Sequence, residues 1–153
     1  MNLLNAHARP LALVLSVFMA AFMVPFSPAY AESLSYSGPS EKKQFTLTLL
    51  PPSETQLNKL SIWTARIKGM DASAKASLQM LLNATDYKIS GGMPAHGHGL
   101  PTEPRVRSVA EDKAGDLLLE IEGIKFQMWG HWVLSVEIPA LADKAEVAFV
   151  LKP

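Results

Sequence analysis

No cysteine occurs in this chain. That excludes thiolate catalysis, iron–sulfur clusters and a thiolate-ligated blue-copper centre. It also means that the fold is held by packing, or by packing plus a metal, without disulfides. A basic surplus is equally missing, since fourteen Lys and Arg face fourteen Asp and Glu. Nucleic acid is therefore not expected as a partner. Serine-nucleophile motifs, internal repeats and low-complexity tracts are absent too. The one long apolar run, Leu11 to Val24, has fourteen residues, short of the ~20 a helix needs to cross a bilayer.

That run has the surroundings of an export signal. Arg9 precedes it, Pro25 and Pro28 follow, and Ala29-Tyr30-Ala31 offers a small-x-small cleavage site. Residues 1–31 are thus expected to be a signal peptide, with Glu32 the new N-terminus of a soluble periplasmic or secreted protein. No cysteine stands near the site for lipid attachment. Residues 32–153 are enough for one domain with one core. Removing Arg9 leaves thirteen basic against fourteen acidic side chains.

What is present is period-two alternation. Phe45, Leu47 and Leu49 form one set, ended by Pro51-Pro52; Trp63, Ala65 and Ile67 form another before Gly69. Leu117, Leu119 and Ile121 form a third, Trp132 to Ile138 a fourth closed by Pro139, and Val147, Phe149 and Leu151 the last. Each predicts a half-buried strand, and residues 33–37 and 105–109 are shorter candidates. Residues 73–84 combine strong helix formers with alternating Leu78, Met80 and Leu82; among closely spaced strands they are read as a strand too. Together these predict an all-β protein, a single antiparallel β-sandwich. The longest break, about Thr85 to Pro104, holds Pro94, Pro101 and Pro104 and reads as a shaped functional loop.

The chemistry lies in that loop. Met93-Pro94-Ala95-His96-Gly97-His98-Gly99-Leu100-Pro101 places two imidazoles one glycine apart, three residues after a thioether. In extended backbone, side chains two apart point to one side, so His96 and His98 can converge on an ion. With His7 removed by cleavage, the three remaining histidines fall in segments 93–98 and 128–131, together with Met93 and Met128. If Gly123 is a bulge, the strand begun near 116 runs on to Met128 and brings Met128 and His131 to the rim that holds His96 and His98. If Gly123 is a hairpin turn, the two segments part. Continued alternation through Ile124, Phe126 and Met128 favours the bulge. Plainer roles exist for each residue: His-Gly-His as a solvated turn, Met128 as core, His131 as a surface side chain, Trp129 and Trp132 as core and rim fillers.

At Met93 to Thr102 and at Ile121 to Leu134 the chain resembles the FixH/YtkA-like family of exported or membrane-tethered bacterial domains. The family has a Met-Pro-x-His loop, then a Gly-x-x-Phe-x-Met strand and a Gly-x-Trp strand start. The likeness spans about residues 44–151 and implies an immunoglobulin-like β-sandwich of the cell envelope, with members linked to copper handling or oxidase assembly. Met93, His96 and His98 match the loop and Met128 the strand methionine, whereas His131 occupies a variable position. With the signal peptide removed, this chain would lack the membrane helix of tethered members.

Soft thioether and borderline imidazole donors favour copper, with zinc the alternative. The leading expectation is a non-enzymatic envelope protein that binds copper through Met93, His96, His98, Met128 and His131 and passes it to an accepting envelope protein or sequesters it. A metal-free interaction or assembly module is the first alternative. A hydrolytic zinc site of His96, His98 and His131 is the second. For that site, Glu103 and Asp86 are only loop candidates for a base, and Glu32 is not the N-terminal histidine of copper oxygenases.

Overall fold

The structure is a computed structural model that describes residues 34–84 and 86–153; the expected signal peptide lies outside the described residues. Two antiparallel sheets pack face to face as a sandwich. The strands are β1 (Tyr36–Pro39), β2 (Phe45–Leu50), β3 (Leu60–Gly69), then a helix α1 (Ala72–Gln79), β4 (Lys88–Met93), β5 (His98–Gly99), β6 (Arg105–Glu111), β7 (Leu117–Lys125), β8 (Gly130–Ile138) and β9 (Asp143–Leu151). One sheet has the order β1-β2-β3-β7-β6, the other β5-β4-β8-β9.

The alternating apolar sets line the space between the sheets. Phe45, Leu47, Leu49, Trp63, Ala65, Ile67, Leu117, Leu119 and Ile121 are buried from one side, and Trp132, Leu134, Val136, Ile138, Val147 and Phe149 from the other. Aromatic rings knit the layers together: Phe126 packs on Trp132 at 4.9 Å and on Trp63 at 5.6 Å, both edge-on. Such pairs add about 0.5–1.5 kcal/mol each beyond their buried area.

Gly123 is a bulge inside β7. The partners of β3 slip there, Ser61 lying opposite Ile124 but Trp63 opposite Ile121. The extra residue reverses the inward parity, so Leu117, Leu119 and Ile121 face the core before it and Ile124 and Phe126 after it. Gly123 adopts φ 83°, the left-handed region where a Cβ is strained. β7 stops at Lys125 and does not run to Met128.

Three expectations are corrected. Residues 73–84 are not a strand: Asp71 caps α1 by accepting from the Ala74 amide at 2.7 Å. Leu78 and Leu81 are buried while Met80 is 78% exposed, a helical period that the alternation of Leu78, Met80 and Leu82 imitated. Residues 85–104 are not one loop, because β4 and β5 lie within them. The first strand begins at Tyr36 and ends at Pro39, later than the expected 33–37.

Candidate functional site

β4 is flat enough to be overlooked in sequence because glycine holds two of its six positions. Gly92 is required by close approach, since a Cβ there would lie 2.7 Å from the His98 carbonyl oxygen. The ladder between β4 and β8 ends at Gly92 opposite Val133. Past Met93 the chain makes a 3-10 turn, Pro94–His96, with proline at its start, where a fixed φ and a missing N–H are tolerated. Gly97 closes the turn at φ 65°, its amide donating to Met93 O at 3.1 Å. β5 then returns along β4, with His98 opposite Met93 and Gly99 opposite Gly92.

His96 and His98 therefore do not share an extended segment; His96 ends a tight turn, His98 opens β5, and the left-handed Gly97 stands between them. The two rings nevertheless come together, with centroids 5.7 Å apart and planes inclined by 49°. A ring nitrogen about 2.0 Å from an ion puts its centroid about 3.2 Å away, so two rings on one ion lie within about 6.4 Å of each other. The observed separation is inside that limit. Nδ1 of His98 lies 3.2 Å from the His96 carbonyl oxygen. A carbonyl only accepts, so this contact is a hydrogen bond in the tautomer with the proton on Nδ1, the one that leaves Nε2 free to bind a metal. Both side chains are exposed.

Segments 93–98 and 128–131 meet. The Pro94–His96 turn packs against β8, and the Met93 methyl lies 2.9 Å from where a Cβ on Gly130 would stand. Met93 is 3% exposed and belongs to the core. Met128 is half-buried against the core, and its carbonyl accepts from the Trp132 indole N–H at 3.1 Å, which ties the approach to β8 in place. His131 is exposed, alternating with the buried Trp132. Among the described residues no three His, Cys, Asp or Glu side chains gather closely enough to hold one ion, so His131 does not complete a three-residue set with His96 and His98.

An open cavity of about 330 Å³ adjoins the turn and is lined in part by Ser90, Gly92, Met93, His98, Ser135 and Glu146. Ser90, Ser135 and Glu146 follow from one register, Ser90 opposite Ser135 and Ser135 opposite Glu146. Sequence reasoning missed them because it missed β4; the signal available was Lys88-Ile89-Ser90, an alternating start hidden by the glycines after it.

The fold and this rim define an antiparallel β-sandwich carrying a pair of exposed imidazoles, with Met93 buried in the core just before their turn. No protein-family model matches the chain, and no curated protein matches it. The resemblance to the FixH/YtkA-like family therefore rests on the residues quoted for it alone.

Proposed function

We propose that this chain is an exported envelope protein of the FixH/YtkA-like kind that binds one copper ion at the rim between the Pro94–His96 turn and β8, for delivery to a partner or for sequestration. The observation that carries this reading is the pair of rings at 5.7 Å, one with its Nδ1 3.2 Å from a carbonyl oxygen. His96 and His98 supply nitrogen, and Met93, the residue before their turn, supplies sulfur. Met128 and His131 are the outer candidates on the facing segment. A set of two imidazoles and a thioether suits Cu(I). Zinc at a hydrolytic site requires three protein ligands, and no group of three His, Cys, Asp or Glu is gathered among the described residues. Exposure of both rings suits transfer of the ion to a second protein by ligand exchange.

The test is a competition titration of the reduced protein with Cu(I) against a chromogenic chelator. One equivalent is expected to bind. His96→Ala with His98→Ala should lower affinity at least tenfold, Met93→Leu less, and His131→Ala least. Absence of stoichiometric copper, or a double variant with unchanged affinity, refutes the reading and leaves the metal-free interaction module.

A further inference from the structure

We propose that Met80 and Met70 are sites of reversible oxidation, converted to methionine sulfoxide by hydroperoxides while the core methionines are spared. No cysteine is present to react first, so thioethers are the groups on which the oxidation chemistry of sulfur must fall. The described methionines divide sharply by environment. Met80 is 78% exposed at the C-terminal end of α1, and Met70 is 53% exposed just past β3. Met93 is 3% exposed and Met128 is half-buried against the core. A small hydroperoxide in solution meets the first pair at once and the second only through opening of the fold. The Thr46 hydroxyl donates to the Met70 sulfur at 3.1 Å, which occupies one of its lone pairs. Met80, more open, is therefore the faster of the two.

In the reaction a sulfur lone pair attacks the terminal oxygen of the hydroperoxide and the O–O bond breaks. The proton on the transferred oxygen passes to the leaving oxygen. Sulfur is oxidised by two electrons, and the hydroperoxide is reduced to an alcohol, or to water where it is hydrogen peroxide. The product is polar where the thioether was apolar. At Met80 and Met70 that oxygen is solvated and no packing is lost; at Met93 it would be buried in the core, which is costly without a donor. Met70 follows Gly69, the residue opposite Phe45 at the start of β2, and Met80 closes α1. Both lie at the end of the sandwich away from the His96 and His98 turn, so the chain takes up two oxygen atoms there without disturbing it. This inference does not depend on copper binding.

The test exposes protein purified after export from the full-length gene to excess hydrogen peroxide and maps the oxygen by mass spectrometry. Cleavage after Lys and Arg puts Met70, Met80, Met93 and Met128 on four separate peptides, ending at Lys75, Lys88, Arg105 and Lys144. In the folded protein Met80 should react roughly tenfold or more faster than Met93, with Met70 between them, and in concentrated urea the four rates should converge to within about threefold. The form carrying two oxygens should melt within about 3 °C of the untreated protein. Methionine sulfoxide reductases for both sulfur epimers should return both sites to the thioether. Met70→Leu with Met80→Leu, which alters exposed positions only, should slow total oxygen uptake by a similar tenfold. Oxidation of Met93 or Met128 as fast as Met80 in the folded protein overturns the proposal. So does a two-oxygen form that unfolds, or sulfoxides at Met70 and Met80 that the reductases leave in place.

Discussion

Asp143 opens β9 with 3% of its surface exposed. Its Oδ1 accepts from the amides of Lys42 and Lys144, at 3.1 and 2.9 Å. Burial pushes the carboxyl up, but the Ser40 hydroxyl and the amides of Lys42, Lys144 and Gln44 outweigh it and hold the group below the ordinary carboxylate value. A carboxyl depressed in the folded state adds stability that is complete above its unfolded pKa and is lost as pH falls through the folded one. Asp143→Asn is therefore expected to cost about 1–2 kcal/mol at neutral pH, the worth of hydrogen bonds to a charged acceptor. The gap to the unaltered protein should close in strong acid, as urea melts across pH would record. Sequence gave no hint of this residue, because all its partners but the Lys144 amide come from residues 40–44, about a hundred positions away.

At the scale of elements, α1 and the β4–β5 hairpin are where pattern reading and structure part. Both helical and strand periods pass through Leu78 and Leu82, and only Leu81 and Met80 tell them apart. Leu78→Ala is expected to destabilise by about 2–5 kcal/mol, whereas Met80→Lys should be within about 0.5 kcal/mol of neutral; a strand reading expects both to be costly. Asp71→Ala should lose about 1 kcal/mol through the helix cap, measurable by thermal melting. The bulge at Gly123, by contrast, was legible in the alternation that resumes at Ile124 and Phe126, although the strand ends at Lys125 and not at Met128. Gly123→Val, with φ 83° forced on a β-branched side chain, should cost more than about 1 kcal/mol.

Across the whole molecule the two ends differ in kind. One end collects Met93, the His96 and His98 turn, Gly130 opposite Leu151, and the aromatic wall of Tyr36, Trp63 and Phe149. The other holds α1, the Asp112 turn and the Ser40–Asp143 clamp, whose hydrogen bonds serve the backbone. Changes at the second end should therefore act on stability alone: Asp71→Ala is expected to leave Cu(I) affinity within about twofold, since sites this far apart rarely couple. Gly92→Val is the opposite case. A Cβ there meets the His98 carbonyl, so β5 must shift, and copper affinity should fall at least as much as for a single histidine variant. Titration of both variants, with amide exchange of Gly99 to report β5, checks the pair.

Alternation of apolar residues was sufficient to specify an antiparallel sandwich, its five principal strands and nearly all of its core, because burying one face of a sheet leaves a period-two trace along the chain. The donor residues were equally plain as residue types. Tertiary structure alone decided how they are arranged: that β4 exists, that a 3-10 turn carries His96 while His98 opens β5, and that the Met93 methyl lies against Gly130. Those outcomes depend on glycines that leave no hydrophobic trace and on backbone contacts between strands some forty residues apart, which local sequence does not encode.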